Sequence, residues 1–214
     1  ASSGIDKAQR AMAASASAGA TIMLTGGSTS GMIAMLLSAA GPDEAVIMHR
    51  GVHHSAVSGC ILGGIKPIWV GEELDGQQMP ALREEAVLKA ISSHPEARAV
   101  LVTRPDYYGR VMPLQKIVAA AHERGMLVLV DEAHGAHFNW WDEPAGAARL
   151  GADYWIQSAH KTLGALTPGA WLHMRDAEWL EHTRDRLRLV HTSSPSFLVM
   201  TSLDETRAWM DENG

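Results

Sequence analysis

A three-layer α/β/α domain built on a mostly parallel sheet is predicted by three features of this 214-residue sequence. Short β-type apolar runs alternate with stretches of helical spacing, the signature of βαβ units. The runs are apolar throughout rather than at every second residue, as expected of strands covered on both faces. Turn signals (Gly26-Gly27, Gly41-Pro42-Asp43, Gly63-Gly64, Gly125, Pro168-Gly169) fall between the two kinds of segment.

The elements follow in order. A leading helix is predicted over Ile5–Ala18, then a strand at Thr21–Thr25 and a helix over Ser30–Ala40 that stops at the Gly41-Pro42 turn. Three further strand–helix pairs are read as Ala45–Met48 with Ser55–Leu62, Pro67–Val70 with Ala81–Ser92, and Ala99–Thr103 with Leu114–Arg124. Strands at Leu127–Asp131, Tyr154–Ser158 and Ala170–Met174 complete the sheet. Helices over Ala177–Val190 and Ser196–Met210 close the chain. No linker composition, charge block or repeat interrupts this series, so one domain is expected.

Composition narrows the function. An apolar share of 46% is too high for disorder, and a charged share of 20% is too low for a coiled coil. The net charge of −6 argues against nucleic acid or an anionic membrane surface as partner. Cys60 stands alone, which excludes an internal disulfide framework and fits a reducing compartment. Apolar runs such as Met126–Val130 fall far short of the ~20 residues of a membrane helix, and Ala1-Ser2-Ser3-Gly4-Ile5-Asp6 lacks the basic start of a signal peptide. A soluble cytoplasmic protein is the expectation.

Ligands of open α/β sheets bind beyond the carboxyl ends of the strands, so the residues following each strand carry the search. Gly26-Gly27-Ser28-Thr29-Ser30-Gly31 leads into a helix and offers hydroxyls, close backbone approach and free N–H groups, which suits a phosphate. It is neither a Walker loop nor a dinucleotide fingerprint. An ordinary Ser/Thr cap after a Gly turn explains it equally. Asp131 ends a buried strand, where an acid is costly unless a cation or donors meet it. Asp131, His134 and His137 are all metal-ligand types, but no helix aligns the two histidines and no metal is expected. Lys161, in Ser158-Ala159-His160-Lys161-Thr162, could be a desolvated amine nucleophile; a solvated surface lysine is the usual reading of any single Lys, but the apolar or small residues on either side weaken it here.

Order and spacing add what the single features lack. The loop 27–31, His49-Arg50-Gly51-Val52-His53-His54-Ser55, Pro105-Asp106-Tyr107-Tyr108-Gly109, Asp131-Glu132-Ala133-His134-Gly135-Ala136-His137, Gln157-Ser158-Ala159-His160-Lys161-Thr162 and Thr192-Ser193-Ser194-Pro195-Ser196 together resemble the major domain of the Orn/Lys/Arg decarboxylases, fold-type-I enzymes of pyridoxal 5′-phosphate. The resemblance implies a pyridoxal-phosphate-transferase-like large domain and a role for each matching residue. Lys161 matches the lysine that bonds to the cofactor aldehyde, and Asp131 the carboxylate that pairs with the pyridine nitrogen. Ser28, Thr29 and Ser30 match the phosphate loop, with Ser158 and His160 as further donors. His53 matches the histidine stacked on the ring, and Ala133 the small residue on its other face. Thr192 and Ser193 match a segment that approaches the phosphate of a partner subunit. Gly26, His54 and Asp106 depart from the usual family residues without removing a group the chemistry requires.

The activity so implied is α-decarboxylation of a basic amino acid (arginine, lysine or ornithine) by a cytoplasmic homodimer or higher homo-oligomer, its product feeding polyamine biosynthesis. Another fold-type-I activity (aminotransferase, lyase or desulfurase) and a cofactor-binding fragment without turnover stay open. Family members extend beyond both ends of the matched region. Residues 1–214 are therefore expected to be a fragment lacking an N-terminal segment and a small C-terminal domain. The last helix, with Leu198, Met200, Leu203, Trp209 and Met210, is the expected site of exposed apolar surface.

Overall fold

The computed structural model describes residues 3–71, 73–74 and 80–214. Seven strands form one sheet in the order β1-β9-β8-β7-β6-β2-β3. These are β1 (Ala20–Leu24), β2 (Ala45–His49), β3 (Lys66–Val70), β6 (Ala99–Thr103), β7 (Leu127–Asp131), β8 (Tyr154–Gln157) and β9 (Ala170–Met174); β4 (Glu73–Leu74) and β5 (Pro80–Ala81) pair separately as a short hairpin. β9 is antiparallel to both β1 and β8, so the other six strands share one direction. The predicted three-layer α/β/α class is the observed one.

Two apolar layers cover the sheet. On one face, α2 (Gly27–Ala39), α3 (His54–Gly63) and α7 (Leu180–Leu187) pack Met32, Met35, Leu36, Cys60 and Leu187 against Ile22, Leu24, Ile156 and Leu172. On the other, α1 (Gly4–Ser15), α4 (Glu84–Ser93), α5 (Gln115–His122) and α8 (Phe197–Asn213) pack Met12, Val87, Ile91, Ile117 and Leu203 against Ile47, Val100, Val128 and Trp155. The helix α2 is buried almost all round because α3, α7 and the sheet enclose it. That explains its continuous apolar sequence. Gly31 is required there: a Cβ would run into the side chains of Ile156 and Leu24.

Several boundaries differ from expectation. The helix expected from Ala81 begins at Glu84, because Pro80-Ala81 pairs with β4. Residues 177–190 divide into a 3₁₀ turn over Ala177–Trp179 and the shorter α7. The first helix stops at Ser15, with Ser17 in the left-handed region at φ 53°. β8 ends at Gln157, and Ser158 leads directly into the four-residue α6 (Ala159–Thr162). In α8, Leu203 and Met210 face inward while Phe197, Leu198 and Trp209 are exposed, so the outward apolar face is narrower than the sequence suggested. Among the described residues, no helix is long and apolar enough to cross a membrane.

Candidate active site

The co-directed strands β2, β6, β7 and β8 end at His49, Thr103, Asp131 and Gln157, all on one edge of the sheet. Beyond that edge lies a cavity of about 610 Å³. The start of α2 supplies Gly27, Ser28 and Thr29 to its wall, and the start of α3 supplies His53 and His54. The turn after β7 adds Ala133 and His134, and α6 adds His160 and Lys161.

The floor is Asp131, 6% exposed. Burial pushes its carboxyl above the usual range, against the pull of the Ala133 N–H and the Lys161 charge. Among the described residues its one hydrogen-bond donor is that Ala133 N–H, at 3.1 Å. Lys161 Nζ stands 3.1 Å from His134 Nε2. Burial and the Lys161 charge hold His134 below its ordinary pKa, which favours a neutral ring able to accept a proton. Lys161 itself is exposed, so the expected desolvated amine is corrected: His134, not an apolar pocket, is its immediate environment. His53 caps α3 by accepting from the Ser55 N–H at 3.3 Å, with its Nδ1 also 2.8 Å from Ser55 Oγ. Its ring centroid is 3.9 Å from that of His54. Burial, then His54, then Lys161 lower the His53 pKa.

At the start of α2, Gly27 adopts φ +79°, a conformation that favours glycine, and turns the chain from β1 into the helix. The first-turn N–H groups of α2 face the same cavity as the Ser28 hydroxyl, which accepts from Ser158 Oγ at 2.9 Å. His191 Nε2 accepts from the Thr25 N–H at 3.2 Å, tying the segment after α7 to this turn.

The structure therefore gathers Ser28, Thr29, His53, Asp131, Ala133, His160 and Lys161 around one cavity, with Ser158 directly behind Ser28. It does not bring Ser30 there: that hydroxyl is buried and donates to the Gly27 carbonyl at 3.2 Å. His160 Nδ1 is engaged with the Gly169 carbonyl at 2.8 Å. Thr192 and Ser193 are exposed on the segment beyond His191. His137 packs on Phe138 and Trp141, and no three-ligand metal cluster exists among the described residues. The site role of His134 was missed. Its position three residues after Asp131, in the turn at the strand end, was the available signal.

Comparison with known proteins agrees with this geometry. The family described as "Orn/Lys/Arg decarboxylase, major domain" matches residues 1–214. The uncharacterized protein YaaO of Bacillus subtilis is 36% identical over 195 residues, covering 89% of this chain and 41% of that protein. An arginine decarboxylase of Halalkalibacterium halodurans is 34% identical over 214 residues, covering 98% of this chain and 44% of that protein. The chain thus spans under half the length of these curated relatives. Among solved structures, the Francisella novicida lysine decarboxylase LdcF superposes with a TM-score of 0.84 at 14% identity, over 99% of this chain and 32% of that one. The constitutive lysine decarboxylase of E. coli gives 0.79 at 16% identity, over 95% and 31%.

Proposed function

The chain belongs to the Orn/Lys/Arg decarboxylase family, and from that premise we propose that it forms the pyridoxal-5′-phosphate-binding core of an enzyme that removes the α-carboxylate of a basic amino acid, namely arginine, lysine or ornithine. The observation that carries this reading is the convergence of Asp131, His134 and Lys161 with the N-terminus of α2 on a single cavity.

The residues present fit the cofactor. A buried carboxylate with a single N–H partner suits a protonated ring nitrogen, and the unpaired N–H groups of α2 suit a phosphate. Lys161 would take the aldehyde, His53 and Ala133 would flank the ring, and Ser28 and Thr29, with Ser158 behind them, would hold the phosphate. When bound, pyridoxal phosphate supplies an electron sink for the bond broken at the substrate's α-carbon. The protein's own work is to keep charges and protons in place. Asp131 holds a positive charge at the floor. Neutral His134 accepts the proton that Lys161 must lose before its amine is nucleophilic. Lys161 or His53 returns a proton to the α-carbon side of the cavity. Assembly as a homodimer or higher homo-oligomer, with Thr192 and Ser193 toward a neighbouring subunit's phosphate site, belongs to the same reading; light scattering of the loaded protein tests it.

The deciding experiment loads the intact protein with pyridoxal phosphate and records the visible absorption band. CO₂ release is then measured with arginine, lysine, ornithine and a neutral amino acid. CO₂ from one basic substrate is expected. A bound cofactor with transamination or elimination and no CO₂ would replace the reading with another fold-type-I activity.

A further inference from the structure

Behind the cavity a continuous polar chain crosses the sheet, and the chemistry proposed above does not use it. Glu132 is fully buried. Its Oε1 accepts from the Ala147 N–H at 3.0 Å and lies 3.4 Å from Arg104 Nη1; its Oε2 accepts from Gln157 Nε2 at 2.7 Å. Gln157 also forms a reciprocal amide pair with Asn139, whose Nδ2 donates to its oxygen at 2.8 Å and whose Oδ1 accepts from its Nε2 at 3.0 Å. His173 Nε2 lies 3.0 Å from the same Gln157 oxygen, and Thr21 Oγ1 lies 2.8 Å from His173 Nδ1. Side chains alone thus connect Arg104 to Thr21 through Glu132, Gln157 and His173.

Its two middle members sit next to the functional groups. Glu132 lies between Asp131 and the turn bearing Ala133 and His134, whereas Gln157 immediately precedes Ser158 and the α6 turn bearing Lys161. The Glu132–Gln157 hydrogen bond is a buried side-chain link between those turns, lying behind the His134–Lys161 contact at the cavity, and the backbone adds Glu132 N–H to the Ile156 carbonyl at 2.9 Å and Ser158 N–H to the Ala133 carbonyl at 3.3 Å. We propose that Glu132 is a positioning residue: through Gln157 it sets the spacing between the Asp131–His134 turn and the Lys161 turn, and so holds the His134–Lys161 contact. The catalytic part of this inference rests on the decarboxylase reading; the geometric part does not.

The test uses the intact protein, with the His134 ring titration followed by NMR in its cofactor-free form and assigned through His134→Gln. Glu132→Gln sets two N–H donors face to face. It should move the His134 midpoint upward, as the ring parts from the Lys161 cation, and lower kcat of the loaded enzyme on the order of 100-fold with KM little changed. The double variant Glu132→Gln/Gln157→Glu restores a donor facing an acceptor between positions 132 and 157 and keeps an acceptor for Asn139 Nδ2 and His173, giving up only the donor to Asn139 Oδ1. It should recover the His134 midpoint and most of kcat, and it decides the matter if the single variant does not fold. An unchanged His134 midpoint in Glu132→Gln would overturn the proposal. So would a double variant that regains native thermal stability without regaining that midpoint. A moved and rescued midpoint in a protein that releases no CO₂ from any basic amino acid would refute the decarboxylase reading while leaving the positioning role intact.

Discussion

Two buried aspartates lie at opposite ends of the neighbouring strands β7 and β8, and the chain treats them in opposite ways. Asp153, just before β8, is enclosed by its own protein: Oδ2 accepts from the Val128 N–H at 2.7 Å and from His122 Nε2 at 2.8 Å, and Oδ1 meets Arg175 Nη2 at 2.7 Å. Asp131, the last residue of β7, receives among the described residues one backbone N–H and no cation in contact, and burial drives its pKa upward. A carboxylate met by a backbone N–H, an imidazole and a guanidinium staples two strand ends together. One left with open acceptors beside a cavity is destabilised until a cationic group arrives. The same residue type is thus tied into the fold at one edge of the sheet and, on the reading proposed above, is left to meet a ligand at the other.

The largest effect should come at the cavity edge. Lys161→Ala is expected to abolish CO₂ release, the visible cofactor band and the cofactor label fixed by borohydride. A label that persists on Lys66 or Lys116 would move the reactive amine away from the Asp131 edge and break the comparison. Asp131→Asn should come next, with turnover falling at least 100-fold, equivalent to about 3 kcal/mol, the low end for an uncompensated buried charge partner. The melting temperature of the cofactor-free variant should stay level or rise, because a desolvated carboxylate has been removed. Turnover within a few-fold of wild type would refute the role. Asp153→Asn should invert the pattern. It gives up the Arg175 ion pair on one side or, with its amide turned, the Val128 and His122 contacts on the other, and should lose about 1–3 kcal/mol of stability, while kcat of the folded enzyme stays within about twofold. Denaturant titration beside a kinetic assay distinguishes the two aspartates.

The pH dependence of stability separates the two logics further. Burial raises Glu132 from 4.5 to about 8. An acid so shifted stabilises the fold fully below its unfolded value, and that contribution is lost as pH rises through about 8. Burial lowers His173 from 6.5 to about 3. A base so shifted contributes fully above 6.5, and the contribution is lost as pH falls toward about 3. His53, His134 and His137 shift in the same direction as His173. The cofactor-free protein should therefore be most stable near pH 6.5, the point where the histidine contributions are complete and the Glu132 contribution has begun to fall. A melting temperature that climbs steadily from pH 6.5 to 8 would contradict this.

How much of this was legible in the sequence follows from the kind of interaction involved. The runs at 99–103, 127–131 and 170–174 were read to the residue, because strands buried on both faces leave an uninterrupted apolar signal. Asp131 and Lys161 stood out because each follows such a strand. The polar row from Arg104 to Thr21 was invisible: its members are scattered through the chain and meet only when the sheet order is known. Ser30 was misplaced for a related reason. A hydroxyl near a helix start can serve a ligand or its own backbone, and the choice depends on which way the first turn of α2 faces. The β4–β5 hairpin was not read, and its last residue, Ala81, was assigned to the following helix, because two-residue strands leave no periodicity to detect.

The smallest predicted effect concerns His53, where structural and binding duties fall on one side chain. Its Nδ1 caps α3 through the Ser55 N–H, a contact worth about 1 kcal/mol of stability. Its ring faces the cavity, where stacking on a bound aromatic ring is worth about as much in affinity. Alanine would remove both and could not tell them apart. His53→Asn keeps an acceptor suited to the cap and discards the ring, so it should weaken cofactor affinity several-fold and leave the melting temperature nearly unchanged. His53→Phe keeps the ring and discards the cap, so it should lose about 1 kcal/mol of stability and retain cofactor affinity. Equilibrium cofactor titration and thermal melts on the pair give a two-by-two outcome. If both variants weaken the cofactor equally while both stay stable, the ring is not the contact. His53 would then act at the cavity through its nitrogen, as a hydrogen-bond donor or proton carrier.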